Sequence, residues 1–517
     1  MRSLLIIPAV FLMLFILAIF LNIRYSLRDR HPGYMADMKI VGEQNGQLSV
    51  GFAAFRITPQ VKKWENEAID EANSNEKDSS FEDNYEYSFE PIGLAGFDNG
   101  KYAKGIHDDL WARTMVVDDG KTRIALVVLD AIGLMADNII DIRQMIPAES
   151  KINYTIVAST HDHEAPDLMG LWGTSAFSNG VNKEYMKYVK IKAVKSVITA
   201  ARNLKPARLE ISEDLTSAIP LVKDTRMPEV FDSGLRLIKA IDKENGKTLG
   251  SLIAWADHAE TLWSDNLLIT SDFCHYLRKG VEKGVYKGDS LVKPGIGGIS
   301  VYVNGAVGGL MTTHPSLAVK DPVSGIEYKE PSFKKAEAQG NALSLAVLNA
   351  MDKPSEIIDS ASISLVVKTI IFPIDNTLFK LAAVLGILDR STVGWMKMRS
   401  EISACKIGPL SFVTIPGEPY PELINGGIEA PEGNDFKIQP LELPVVRDMM
   451  PGKYKFVFGL ANDEVGYIIP KSQWDAKSPY TYGRKDSPYG EENSLGPETA
   501  PILHKNLQYI FDELSGK

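Results

Sequence analysis

Two of the eight histidines in this chain, His161 and His163, stand one residue apart in "ASTHDHEAPD" (Ala158–Asp167), among acids and directly after the apolar run "INYTIV". Three more groups with ligand chemistry follow apolar runs of strand length: His258 in "IAWADHAETLWSDN", Glu418 in "FVTIPGEPYPEL" and Tyr467 in "GLANDEVGYIIP". Two imidazoles, a carboxylate and a phenol form a donor set for one metal ion. Imidazole and carboxylate suit zinc, and a site short of four strong protein ligands leaves room for water. A phenolate is an uncommon ligand, made accessible when the charge of zinc lowers the phenol's pKa. Spacing alone leaves a second reading open, in which each histidine is a hydrogen-bonded structural residue after a strand. Neither "GE" nor "GY" signals anything by itself.

These groups need elements to position them. "RIALVVLD" (Arg123–Asp130), "YTIVAS" (Tyr154–Ser159), "SLIAWAD" (Ser251–Asp257), "ISVYVN" (Ile299–Asn304), "LSFVTI" (Leu410–Ile415) and "YKFVFGL" (Tyr454–Leu460) read as buried strands. Lys183–Leu204 reads as an amphipathic helix. The alternation predicts an α/β fold, a mixed sheet core flanked by helices, in one large catalytic domain over residues 32–517. In α/β folds, sites gather beyond the carboxyl ends of strands. His161, His258, Glu418 and Tyr467 all fall there.

Composition bounds the partners. The 517 residues are 44% hydrophobic and 24% charged, enough to bury a sizeable core. A net charge of −10 argues against a nucleic-acid partner, which needs a basic face. Two cysteines, Cys274 and Cys405, cannot build a disulfide framework or a thiolate metal site. "LLIIPAVFLMLFILAIFL" (Leu4–Leu21) is long enough to span a bilayer, and no small-x-small cleavage site follows it. Residues 1–31 are therefore expected to be an uncleaved transmembrane anchor with a basic flank. Arg24, Arg28 and Arg30 after the span, against Arg2 before it, would on charge alone put the domain in the cytoplasm. Residues 64–91 are acidic and polar and read as a solvated insertion loop. Asn376–Leu388, "NTLFKLAAVLGIL", is too short to span and reads as a buried core helix, with a lipid-contacting lip beside the pocket as the alternative. The oligomeric state leaves no trace in the sequence.

"THDHEAP" resembles the THTHSGP motif of the neutral ceramidases, zinc amidases that cleave the amide of N-acylsphingosines. Five other stretches resemble segments of that family in the same order: "GIHDDLWARTMVVDDG", "DTRMPEVF", "IAWADHAETLWSDNLLITSD", "PGEPY" and "GLANDEVGY". The resemblance runs from about Gly51 to Leu503. It implies that His161, His258, Glu418 and Tyr467 are the zinc ligands. It implies that His163 stabilises charge on the reacting amide oxygen, and that Arg226 fixes the substrate by charge-assisted hydrogen bonds. Residues i and i+2 of a strand-like stretch point to one side, so His161 would hold the metal while His163 reaches the substrate. The implied substrate is an amphiphilic, N-acyl lipid-like amide met at a bilayer, with the domain outside the cytoplasm, against the arginine count.

Two departures from the family follow. No immunoglobulin-like domain is expected after the catalytic one, since the chain ends 50 residues (517 minus 467) beyond Tyr467. The family's nucleophilic serine, in an S-N-x-G-D-V-S-P-N type segment, falls on Gly309 when "VNGAVGGLMTTHPS" is matched without gaps from Asn304. The expected chemistry is then attack by zinc-activated water, with Thr312 and Thr313 as distant substitutes for the serine. A catalytically silent ligand-binding homologue and a metal-dependent hydrolase of esters or phosphoesters remain the alternatives.

Overall fold

An apolar run without polar alternation can be buried on both faces, which parallel strands require. The six predicted strands are of this kind, and the computed structural model, which describes residues 13–14, 16–17, 19–59, 91–309 and 311–516, arranges them as three parallel pairs. In chain order the main strands are β1 (Met38–Ile40), β2 (Ser49–Arg56), β3 (Trp111–Asp118), β4 (Arg123–Leu129), β5 (Tyr154–Ser159), β6 (Lys205–Asp214) and β7 (Leu235–Asp242). They continue with β8 (Thr248–Trp255), β9 (Ile299–Asn304), β10 (Glu356–Ile358), β11 (Ile363–Pro373), β12 (Lys397–Ile407), β13 (Leu410–Thr414) and β14 (Tyr454–Phe458).

Among the described residues a nine-stranded sheet runs β9-β8-β7-β6-β2-β3-β4-β5, with β10 paired to β6, and a five-stranded sheet runs β1-β11-β12-β13-β14. The pairs β4–β5, β8–β9 and β13–β14 are parallel. The remaining pairings are antiparallel.

The two sheets stack. Leu126 and Val128 of β4, Leu252 of β8 and Val301 of β9 share one core with Leu365, Phe412 and Phe456 of the smaller sheet. Side chains alternate along a strand, so the intervening residues face outward and need a second cover. Ala125 and Val127 of β4 meet α1 (Ala136–Met145) and α2 (Lys183–Arg202). Ile253 and Trp255 of β8 meet α3 (Phe273–Lys283) and α4 (Phe333–Met351). Val366, Val413 and Val457 meet α6 (Thr499–Ser515), which follows α5 (Thr377–Leu385). The result is four layers, helix–sheet–sheet–helix. It refines the expected mixed sheet core flanked by helices into two such sheets. The predicted helix from Lys183 starts there because the Asn182 side chain accepts a hydrogen bond from the Tyr185 amide.

The carboxyl ends of β5, β8, β9 and β14 are tied together by Asn304, which is fully buried at the end of β9. Its side-chain amide donates to the carbonyls of Thr160 (3.0 Å) and Asp257 (2.8 Å). Its side-chain oxygen accepts from the Asp257 amide (3.1 Å), and its own carbonyl accepts from Gly459 (3.1 Å). The turn that follows must pass close to a neighbour. A Cβ at Gly308 would lie 2.2 Å from the Glu418 carbonyl oxygen, so the position needs glycine for the backbones to meet.

One expectation ends differently, and two fall largely outside the described residues. The apolar stretch Asn376–Leu388 is not a core helix: α5 lies outside both sheets and buries only Ala383. The alternating core positions are already filled by the sheets and α6, which leaves α5 as a surface element. Of the run Leu4–Leu21, residues 4–12, 15 and 18 lie outside the described residues. Among the described residues no helix is long and apolar enough to cross a membrane. The acidic segment 64–91 also lies outside the described residues, apart from Pro91.

Asn304→Ala removes the partner of three buried backbone groups, each costing roughly 1–3 kcal/mol when left unsatisfied. The expected result is a loss of at least about 3 kcal/mol of stability, read as a lower urea midpoint at unchanged slope. A midpoint equal to that of the parent chain would remove Asn304 from its structural role.

Candidate metal centre

His161 lies two residues beyond β5 and adopts a left-handed backbone, φ 61°. A non-glycine residue there is uncommon and is held by its surroundings. β5 has already ended at Ser159, so strand alternation does not explain the His161–His163 pair. The left-handed turn brings the two rings together instead, with centroids 4.8 Å apart and planes at 81°. His258, three residues beyond β8, brings its ring to 4.5 Å from that of His161. Ligand atoms of His161, His163 and His258 all lie within 4.8 Å of one another, and all three residues are buried.

Backbone carbonyls decide which nitrogens point inward. His161 Nδ1 bonds the Ile132 carbonyl at 2.7 Å and His258 Nδ1 bonds the Met311 carbonyl at 2.8 Å. A carbonyl only accepts, so each Nδ1 carries a proton and each Nε2 is turned toward the centre. Both Nε2 atoms face one oxygen of Glu418, at 3.4 Å from His161 and 3.1 Å from His258. The Tyr467 hydroxyl oxygen lies 3.5 Å from His258 Nε2. Glu418 and Tyr467 come together because they are direct partners in a short parallel pairing, Glu418–Pro419 with Tyr467–Ile468.

Lone pairs facing a carboxylate repel unless a cation or proton lies between them. The charges adjust to that demand. Burial alone would lower His258, but the Glu418 hydrogen bond and the charges of Glu260 and Glu418 raise it to about 9. Burial would raise Glu418, yet the His161 and His258 imidazoles outweigh it and hold the carboxyl well below the usual carboxylate range. Burial, then the charge of Glu418, push the Tyr467 phenol up.

Three of the donor separations have room for a zinc ion between them. Zinc–nitrogen and zinc–oxygen bonds of about 2.0–2.1 Å in a tetrahedron put neighbouring donors roughly 3.3–3.4 Å apart. The three donor separations here are 3.1, 3.4 and 3.5 Å. Carbonyl acceptors behind both histidines are the outer-shell partners that orient zinc imidazoles.

His163 is buried beside this group, and its Nε2 has no hydrogen-bond partner among the described residues. Burial, then His161 and His258, push its imidazole well down, so it is neutral. Its Nδ1 lies 3.3 Å from a Glu260 carboxylate oxygen. Phe97 packs on the ring at 5.3 Å between centroids. Gly96, at φ 97°, cradles the same ring: a Cβ there would come within 2.6 Å of three His163 atoms. Sequence reasoning missed Glu260, Gly96 and Phe97. The first had a signal in the His258-x-Glu260 spacing of "DHAE"; the other two had none.

Arg226 is held away from the donors. It forms an ion pair with Glu422, donates to the Met227 carbonyl at 2.8 Å and stacks 3.9 Å over the Tyr420 ring. It approaches the centre only through Tyr420, whose ring lies 6.3 Å from that of Tyr467. Gly309 borders the same region, with Asp224 and Pro421 each 3.1 Å from where a Cβ would stand. Burial raises the Asp224 carboxyl to about 7. The Thr313 hydroxyl bonds Asp257 (2.9 Å) and Gln339 (2.5 Å), and Thr312 lies against Glu260.

No family model matches the chain. Its fold is shared with solved ceramidases. The neutral ceramidase from Pseudomonas aeruginosa superposes with a TM-score of 0.63 at 14% identity, covering 90% of this chain and 74% of that one. A ceramidase complexed with C2 gives a TM-score of 0.62 at 12% identity, covering 91% and 75%.

The donor set leads to an expected zinc content of about one per chain. His161→Ala and His258→Ala are each expected to bring it near zero by elemental analysis, and full occupancy in both would remove the site. Zinc must displace the proton of His258, raised to about 9. Apparent affinity is therefore expected to fall about tenfold per pH unit below that value. Competition titrations at pH 7 and pH 8 check the slope.

Proposed function

We propose that this chain is a zinc-dependent hydrolase of the ceramidase type, cleaving an amide in an amphiphilic, N-acyl lipid-like substrate. The observation that carries this reading is the buried meeting of His161, His258, Glu418 and Tyr467 at zinc-like spacing, with the neutral His163 beside them, its Nε2 unpartnered among the described residues. The fold shared with ceramidases supports it.

His161, His258, Glu418 and Tyr467 would hold the metal, which when bound supplies Lewis acidity towards a carbonyl and acidifies water. The protein's own groups do the rest. Glu260 lies beside His163 Nδ1, so the proton of the neutral ring sits on Nδ1 and Nε2 is left as the acceptor. This makes His163 a proton carrier: Nε2 takes a proton from the attacking water and returns it to the leaving nitrogen. That role replaces the oxyanion donor expected from the resemblance. Phe97 and Gly96 close over the ring and keep bulk water from it. No protein nucleophile is invoked. Gly309 has no side chain, and the hydroxyl of Thr313 is held by Asp257 and Gln339. Arg226 would hold a substrate oxygen through its Nε–H, which is buried without a partner among the described residues, while Glu422 and Tyr420 fix the guanidinium from the other sides.

Turnover of N-acyl lipids, matched esters and phosphoesters by the zinc-loaded chain tests the reading. Amide hydrolysis is expected to exceed both alternatives. His163→Ala and Glu418→Ala should lose at least about 100-fold, and Glu260→Gln about 10- to 100-fold at unchanged zinc content. Thr312→Ala and Thr313→Ala should keep most activity. An acyl group trapped on either threonine would overturn the water route. No turnover of any substrate class by the loaded chain would leave a ligand-binding protein instead.

A further inference from the structure

α5 carries the sequence "TLFKLAAVL", with Lys380 its one charged residue. Phe379 and Ala382 lean on the core beneath α6. The opposite side is bare: Leu378, Leu381 and Leu385 are 64%, 45% and 44% exposed. Phe177 and Trp395, each 73% exposed, stand on the two loops beside it. The first loop is tied to the end of α5, because Asn179 Nδ2 donates to the Ile387 carbonyl at 2.6 Å. The second is tied to the N-terminal segment, because the Thr392 hydroxyl donates to the Leu27 carbonyl at 2.7 Å.

The N-terminal segment arrives at the same place. Residues 19–26 are helical, and Phe20 and Leu21 are 54% and 56% exposed. Ser26 lies against Gly386, the left-handed cap of α5: a Cβ at Gly386 would meet Ser26 Oγ at 2.8 Å. The apolar run that ends at Leu21 is 18 residues long, about the length that crosses a hydrocarbon core. The described end of that run stands beside the bare side of α5, so a bilayer that received the run would also meet α5. No acidic residue occurs between Thr377 and Leu388, so no carboxylate opposes burial in lipid.

We propose that the exposed face of α5, with Phe177 and Trp395, docks on a lipid bilayer and seats the candidate metal centre at its surface. A continuous set of contacts joins the two. Gly170 packs on the Ile387 carbonyl, which a Cβ there would approach to 2.2 Å. Asn99 Nδ2 donates to the Leu171 carbonyl at 3.0 Å, and the Gly100 amide to the Gly173 carbonyl at 2.8 Å. Phe97, in that same loop, covers His163. An exposed apolar helix face suits an interfacial helix, whose apolar side sits at the headgroup–acyl boundary. The proposal concerns the surface and holds whatever bond the centre acts on.

Site-specific labelling of the full chain in phosphatidylcholine vesicles tests it. Both native cysteines are buried, so an introduced thiol takes an environment-sensitive fluorophore selectively. Labels at Leu381→Cys and Leu385→Cys are compared with one at Leu291→Cys, which is 52% exposed on the hairpin preceding β9. That hairpin lies at the opposite strand ends from the centre. Doxyl-labelled phosphatidylcholine is expected to quench positions 381 and 385 at least twofold and to leave 291 unchanged. Equal quenching at all three positions overturns the proposal. So does a blue shift at 381 without quenching, which would mean that protein, either the chain's own N-terminal segment or a second copy, covers the face.

Discussion

One buried side chain decides whether the strand ends can hold a site at all. The carboxyl ends of β5, β8, β9 and β14 belong to two different sheets, and each arrives with backbone groups that no ladder satisfies. Asn304 satisfies several of them at once, joining Thr160, Asp257 and Gly459. An amide is the side chain for this place because it donates and accepts from one planar group without charge. Aspartate would offer no donor to the two carbonyls. With those ends fixed, the left-handed turn at His161 and the approach of Gly308 to Glu418 become geometrically forced.

The electrostatics follow from that fixing. His161 and His258 spend their Nδ1 protons on carbonyls of the scaffold, and Glu418 is presented to the remaining lone pairs by its pairing with Tyr467. Four groups that would each prefer water are thereby buried with their acceptors turned toward one another. In such an environment an unpaired charge is expensive, and burying a cation among the donors relieves it. The raised imidazole of His258 and the depressed carboxyl of Glu418 are one form of that relief, a proton held between the two groups. Arg226 and Glu422 show another solution nearby, where two buried charges pair directly.

What could be read from the sequence has a physical boundary. The six strands named from apolar runs are the members of the three parallel pairs, covered on both faces and therefore continuously apolar. The antiparallel strands between them were not distinctive: β6 reads "KPARLEISED" and β12 "KMRSEISACKI", with charges that the pairing itself tolerates. The four candidate metal donors were legible because each follows one of those apolar runs. Glu260 was not singled out, since an acid beside a histidine is common. Its meaning depends on His163, which lies 97 residues (260 minus 163) earlier in the chain. The apolar stretch at Asn376–Leu388 misled because hydrophobicity reports a preference to leave water, and not whether protein or some other apolar medium receives it.

The donors come from both sheets, and this bears on how the molecule is made. His161 and His258 extend from the nine-stranded sheet, whereas Glu418 and Tyr467 extend from the five-stranded one. They span 306 residues (467 minus 161). A chain still under synthesis shows two imidazoles long before either oxygen donor exists, and a pair of histidines alone binds metal weakly and without preference. If these four groups hold a metal, its selection belongs to the finished fold, after the sheets have stacked, and metal taken up early would have to be released or exchanged once the oxygen donors arrive.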